Sequence, residues 1–247
     1  MNTKHILLTS ALVVSALAFT SCEDFFDTSS KKDLNTETAY SNLESAEMAL
    51  VGCYDGWQRT ISDEGVGMYL LAEFASEQAF AGLGLSDAKN NNVIDQFNLG
   101  IAPSYNDIFN VDWQNYYKAI FRCNQLIVQE DNIDWAGDIK AQGRVMGEAH
   151  AIRGILYFDL VRMFGDVPLL TAPSEENIPR SPASDVYQLI FEDFKYAIEH
   201  IPADAYPLDN NDTNDGRITK YAAEALMARA YLYHTGYYGA EHPSCTK

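Results

Sequence analysis

The stretch Arg144-Val145-Met146-Gly147-Glu148-Ala149-His150-Ala151-Ile152-Arg153-Gly154-Ile155-Leu156-Tyr157-Phe158-Asp159-Leu160-Val161-Arg162-Met163-Phe164-Gly165-Asp166-Val167-Pro168-Leu169 decides the fold. Val145, Ala149, Ile152, Leu156, Leu160 and Met163 recur at the three- and four-residue steps of one helix face, and Met146, Tyr157, Val161 and Phe164 widen the stripe. So wide an apolar surface belongs to a helix buried on more than one side. Gly165 supplies a left-handed stop and Pro168 prevents continuation. Arg144, Glu148, Asp159 and Arg162 fall at spacings that permit ion pairs, and a solvated, charge-paired face accounts for them without catalysis.

Moving outward from this helix, the same periodicity recurs. Trp113, Tyr116, Ile120, Cys123 and Ile127 predict a helix before it, with Asn124 set into the apolar face as a buried, hydrogen-bonded amide. Earlier still, Ser41 and Glu44 have capping-box spacing and open a helix carrying Ala46, Leu50, Cys53 and Trp57. Cys53 and Cys123 both have apolar neighbours and read as buried thiols. Downstream, Ser181-Pro182 starts a helix through Val186, Ile190, Ala197 and Ile201, which Pro202 ends. After a polar loop, a helix from about Thr219 carries Ala222, Ala223, Ala225, Ala228 and Ala230, small residues that let a neighbour approach closely. These last two read as an antiparallel pair, the unit of tetratricopeptide-type stacks, although the strict repeat signature is absent. The fold class expected is all-α, with tetratricopeptide-like helical pairs and long loops.

Residues 62–110 are rich in Gly, Asn, Asp and Ser and show no sustained period, so they predict one long loop region. Loops of that length inside a compact domain are commonly functional, and its isolated aromatics Tyr69, Phe80, Phe97 and Tyr105 are the candidate ligand-binding residues. Flat aromatic faces there would stack on ligand while Asn and Asp side chains hydrogen-bond hydroxyls.

The N-terminus is an address. Lys4 and His5 precede an apolar run from Ile6 to Phe19, followed by Thr20, Ser21 and Cys22, the pattern of a secretion leader over residues 1–21. The run is too short for a permanent span, which needs roughly 20 apolar residues. A cysteine directly after it resembles a bacterial lipobox, making Cys22 the predicted lipidation site, with Phe19 where Leu is commoner. Several acyl chains, each CH₂ contributing about 0.8 kcal/mol, would hold the protein on a membrane. Residues 22–40 read as an acidic tether, and 41–247 as the helical domain. Glu23 and Asp24 resemble the signal that sends such lipoproteins to the outer face.

Composition narrows function further. At 47% hydrophobic residues the chain folds, and a net charge of -18 with only 17 basic residues argues against nucleic acid as a partner. The cysteines left after Cys22 are odd in number and irregularly spaced, which is no disulfide framework. The loop from Asp209 to Asp215 has oxygens that calcium takes, but Ala222 stands where an EF-hand needs Glu, so an ordinary turn is expected. Glu73 and Glu77 have the spacing of a carboxylate pair, a weak signal in so acidic a chain. No phosphate loop, HExxH or GxSxG occurs, so neither cofactor, metal nor catalysis is expected.

An ordered series of segments is similar to the SusD/RagB family of outer-membrane lipoproteins. It begins at Cys22-Glu23-Asp24-Phe25-Phe26-Asp27 and continues through Ala49-Leu50-Val51-Gly52-Cys53-Tyr54. Trp113, Tyr117, Ile120 and Asn124 follow, then Gly147-Glu148-Ala149 with Arg153, Tyr157-Phe158, Arg162 and Phe164-Gly165-Asp166-Val167-Pro168-Leu169. Pro179-Arg180, Val186-Tyr187, Asp193, Gly216-Arg217, Ala222-Ala223 and Ala228-Arg229 complete it. The resemblance implies a surface lipoprotein that is not an enzyme, anchored to outer-membrane lipid through acylated Cys22. It would sit as a lid on a SusC-like TonB-dependent porin and capture glycans or oligopeptides for it. A helical-repeat adaptor that binds only protein is the competing reading. Family members are considerably longer, so the chain is expected to be an N-terminal portion that stops short.

Overall fold

The computed structural model describes residues 40–62, 66–76, 78–82, 89–101, 108–174, 176–206 and 216–238. Among them the secondary structure is helical: α1 (Leu43–Ser62), α2 (Gly67–Ala75), α3 (Lys89–Asp95), α4 (Ile108–Ile127), α5 (Ile139–Phe164), α6 (Ala183–His200) and α7 (Lys220–Tyr238), with single 3-10 turns at Leu99–Ile101 and Glu130–Asn132. No strand occurs among the described residues, only the isolated bridges Asn42–Asp134 and Val167–Ser181. No helix there is long and apolar enough to cross a membrane.

The stretch from 144 to 164 lies within α5, the central element, which packs on α1, α4, α6 and α7. Its burial extends to both stripes and to the polar residues between them, including Glu148 and Arg153. Asp138 caps its start, accepting from the Ala141 N–H at 2.9 Å. Gly165 ends it at φ 68°, where its N–H donates to the Val161 carbonyl. α1 and α4 run antiparallel: Asp55 meets Arg122 while Gly56 faces Ala119. α5 and α6 do likewise, since Gly143 faces His200 and Gly154 faces Phe194. α7 packs on α6 through buried Ala223 and Ala230, whereas Ala225 and Ala228 point to solvent. The pairs stack around one core, as the periodicity predicted.

Three sequence expectations need correction. The cap of α1 is Asn42, not Ser41: Asn42 Oδ1 accepts from the Ser45 N–H and Ser45 Oγ from the Asn42 N–H, both at 3.0 Å. Ser41 instead offers its carbonyl to the Asp134 N–H. Residues 62–110 are not one loop, because α2 and α3 pack on each other there around Val66 and Ile94. Nine- and seven-residue helices are too short to display a period. Finally, the charged residues of α5 are paired but not solvated. Glu148 is fully buried, with Tyr54 and Tyr206 each donating a hydroxyl at 2.6 Å and Arg144 beside it. Asp159 pairs with Arg162 and accepts from Tyr116 at 3.0 Å. Tyr54, Tyr116 and Tyr206 come from other elements and cover what the helix alone would expose.

A second buried network joins three helices. Arg153 donates to Asp193 of α6 through Nε at 2.9 Å and Nη2 at 2.7 Å, and to Asn124 Oδ1 of α4 at 2.8 Å. His150 Nδ1 lies 2.6 Å from the same Asp193. Asn124, satisfied as predicted, turns its Nδ2 to the Leu170 carbonyl at 2.9 Å. Tyr157 both donates to that carbonyl and accepts from the Leu170 N–H, and Tyr117 donates to the Pro168 carbonyl. The chain leaving α5 is thereby clamped to α4 and α5, and Asp166 accepts from the Ala183 N–H at the start of α6.

Two tests follow from this packing. A Cβ at Gly143 would lie 2.5 Å from the His200 carbonyl oxygen, a backbone atom that cannot yield, whereas one at Gly52 meets nothing within 4 Å. Gly143→Ala is expected to lower stability by about 1–3 kcal/mol through overpacking. Gly52→Ala should raise it by up to ~1 kcal/mol through helix propensity; urea midpoints measure both. Burial pushes the Asp193 carboxyl up, but Arg153 and His150 outweigh it and hold the group below the usual carboxylate range. A carboxylate depressed in the folded state contributes stability above its unfolded pKa of about 3.9, and that contribution disappears as pH falls through the lower folded value. Asp193→Asn is expected to cost about 3–5 kcal/mol at pH 7, because Arg153 stays buried without its counter-charge. It should also flatten the loss of stability below about pH 4 in chemical denaturation.

Candidate ligand-binding surfaces

α2 and α3 form a small helical module in which Leu71 and Phe74 pack on Val66 and Ile94, joined by Phe109 of α4. A carboxylate of α4 ties down its first turn. Asp112 of α4, 2% exposed, accepts from the Val66 N–H at 3.1 Å and the Gly67 N–H at 2.9 Å, supplying the cap that the start of α2 lacks locally. Burial raises the Asp112 pKa, and the two backbone donors oppose the rise. Gly67 has φ +61°, and a Cβ there would strike the Thr60 carbonyl oxygen at 2.5 Å, so the tight entry to α2 requires glycine.

This module displays the predicted aromatics. Tyr69 on α2 is 66% exposed, Phe80 after it 61%, and Phe97 beyond α3 78%. Phe97 has φ 49°, uncommon for a bulky side chain, and is held there by its own N–H to the Ile94 carbonyl and by the Asn98 N–H to the Val93 carbonyl. The Asn98 side chain continues the turn by accepting from the Gly100 N–H at 2.9 Å. The three rings stand separately, with no ring contact among them in the described residues. Tyr105, Cys22, Glu77 and the loop from Asp209 to Asp215 lie outside the described residues. No cluster of candidate metal ligands occurs among the described residues.

The sequence reading missed a second surface. A groove of about 640 Å³ lies between α4 and the clamped segment after α5, walled by Trp113, Tyr117, Phe121, Leu170 and Ala172, with Lys118 and Arg122 at its rim. Trp113 packs on Tyr117 at 5.0 Å and edge-on to Phe164 at 5.2 Å, and the Arg180 guanidinium lies 5.5 Å above its ring. The groove is built because Tyr117 and Asn124 hold Pro168 and Leu170 against α4. Its sequence signal is the four-residue spacing of Trp113, Tyr117 and Phe121, a stripe beside the buried one of Tyr116, Ile120 and Cys123.

The carboxylates of the buried ionic networks are occupied by Tyr and Arg donors: Glu148 by Tyr54 and Tyr206, Asp193 by Arg153.

Comparison with known proteins gives this architecture its relatives. The curated SusD-like protein P38 of Formosa agariphila is 24% identical over 242 residues, covering 96% of this chain and 44% of its own length. A SusD-like protein of Bacteroides ovatus is 24% identical over 253 residues, covering 94% of this chain and 41% of its own. Among solved structures, a laminarin-binding SusD-like protein superposes with a TM-score of 0.64 at 28% identity, covering 80% of this chain and 41% of that one. A SusD homolog from Bacteroides thetaiotaomicron superposes with a TM-score of 0.61 at 27% identity, covering 81% and 38%. The chain thus spans about two-fifths of the length of these relatives. Residues 24–232 match the SusD-like family described as starch-binding and associating with the outer membrane, and the chain belongs to that family.

Proposed function

We propose that this protein is a cell-surface nutrient-binding lipoprotein that captures glycans and passes them to a SusC-like TonB-dependent porin. Its ligand surface would be the aromatic display of Tyr69, Phe80, Phe97 and Tyr105. The observation that carries the reading is the exposure of Tyr69, Phe80 and Phe97 on one module tied down by Asp112. An exposed aromatic ring offers an amphipathic flat face on which a sugar ring can stack. Family membership supports the carbohydrate class, and the structural relative named as laminarin-binding is an example of it. The net charge of -18 favours neutral glycans over polyanions. Capture requires no reaction. Oligopeptides are the alternative cargo, and a helical adaptor binding only protein is the alternative role.

Location follows from the N-terminus: acylated Cys22 would anchor the protein in outer-membrane lipid, with residues 22–40 as the tether and the domain facing outward. Cys22→Ser is expected to move the protein from the membrane pellet to the soluble fraction, and a variant still acylated and sedimenting refutes the anchor.

The ligand surface is tested by Tyr69→Ala/Phe80→Ala/Phe97→Ala/Tyr105→Ala in the full chain, with laminarin and starch as probes in affinity electrophoresis. Aromatic contacts of about 0.5–1.5 kcal/mol each predict at least a ~10-fold loss of affinity, with helical circular dichroism retained. Unchanged retardation with loss in a Phe121→Ala variant moves the site to the α4 groove. No retardation of the unaltered chain by any glycan favours the adaptor.

A further inference from the structure

Cys53 on α1 and Cys123 on α4 are free thiols, both with no solvent exposure. The two thiols are neighbours in one buried core where α1 meets α4. Each lies one helical turn from the tightest crossing of the two helices, where Gly56 has no side chain. A Cβ added there would come 3.0 Å from Ala119 Cβ and 3.1 Å from Ala119 Cα. The antiparallel register is pinned on the same face by Arg122, which donates to the Gly52 carbonyl at 2.9 Å. A disulfide spans about 3.5–4.5 Å between Cβ atoms, so it needs helices that approach closely, as α1 and α4 do one turn away at Gly56 and Ala119.

We propose that Cys53 and Cys123 are a disulfide-forming pair, oxidised while the chain folds in an oxidising compartment, which staples α1 to α4. The proposal rests on the export read from residues 1–22. The oxidant is a protein disulfide donor. One cysteine thiolate attacks the donor's disulfide, forming a mixed disulfide and releasing one donor thiol. The second thiolate then displaces the donor's remaining sulfur. One disulfide forms in this chain and one is lost from the donor, which takes up two electrons and two protons. Burial dictates the timing: neither sulfur is reachable in the finished core, so exchange precedes closure, and the completed bond is shielded from reductants. Burial also raises the Cys123 thiol well above its ordinary range, so a pair left reduced stays inert.

The position of the bond gives it a purpose. The ring closed between residues 53 and 123 contains the entire aromatic module, including Tyr69, Phe80, Phe97 and the anchoring Asp112. Closing so long a loop restricts the unfolded chain.

The test uses the full chain recovered from the periplasm and envelope of a bacterial host, alkylated in denaturant before any reduction, then proteolysed for mass spectrometry. The expected result is one cross-linked species joining the Cys53 and Cys123 peptides, two hydrogens lighter than the reduced pair and resolved into two alkylated peptides after reduction. The oxidised chain should also melt about 5–10 °C above the reduced one. In parallel, the reduced chain is refolded in a glutathione redox buffer. Free thiols at 53 and 123 after refolding, or a bond from either to Cys245, overturn the pair. A bond formed on refolding but absent from the envelope-derived chain supports the pair and overturns export to an oxidising compartment instead.

Discussion

The ion pair between Arg153 and Asp193 is the constraint on which the rest of the structure depends. Both groups are almost fully buried, and neither could remain charged there alone. Their geometry therefore sets the distance between α5 and α6, while the remaining Arg153 donor reaches Asn124 and draws in α4. Asn124 then holds Leu170, which Tyr157 grips from the other side. The apolar contacts supply the bulk of the favourable free energy, but they are not directional. Hydrogen bonds to a buried guanidinium are directional, and they select one register among several that would bury similar area.

The two candidate surfaces inherit their shapes from this frame in different ways. The α4 groove is a by-product of the clamp: its far wall is the chain held down by Tyr117 and Asn124. The aromatic module has a small cluster of its own around Val66 and Ile94, joined to α4 by Phe109 and by the carboxylate cap of Asp112. Such a division suits a binding protein, because a rigid stack of helices fixes the position of a module whose own surface can be re-specified. The neighbouring thiols of Cys53 and Cys123 are the proposed covalent link between α1 and α4.

Long amphipathic elements were legible in the sequence because burial imposes a period that local residues must obey. Val145 to Met163, Trp113 to Ile127 and Val186 to Ala197 all lie in the helices their spacing predicted, and Ile201 caps the last of these. The buried amide of Asn124 was legible for the same reason, as a polar residue on an apolar face that must find partners. Among the aromatics of residues 62–110, Tyr69, Phe80 and Phe97 are exposed, whereas Phe74 and Phe109 pack on Val66 and Ile94, a difference that isolation in the sequence did not reveal.

What the sequence by itself determined is therefore the long helices, the central place of the stretch at 144–164 and the order of segments shared with the SusD-like family. Tertiary structure alone decided what depends on residues far apart in the chain. Glu148 reads as a surface charge until Tyr54 and Tyr206 cover it, and α2 has no cap of its own until Asp112 supplies one from a later helix. The α4 groove exists only because the chain after α5 folds back against Trp113 and Tyr117. Periodicity is a property of neighbours along the chain, whereas satisfying a buried charge or an orphan N–H is a property of neighbours in space, and only folding brings those together.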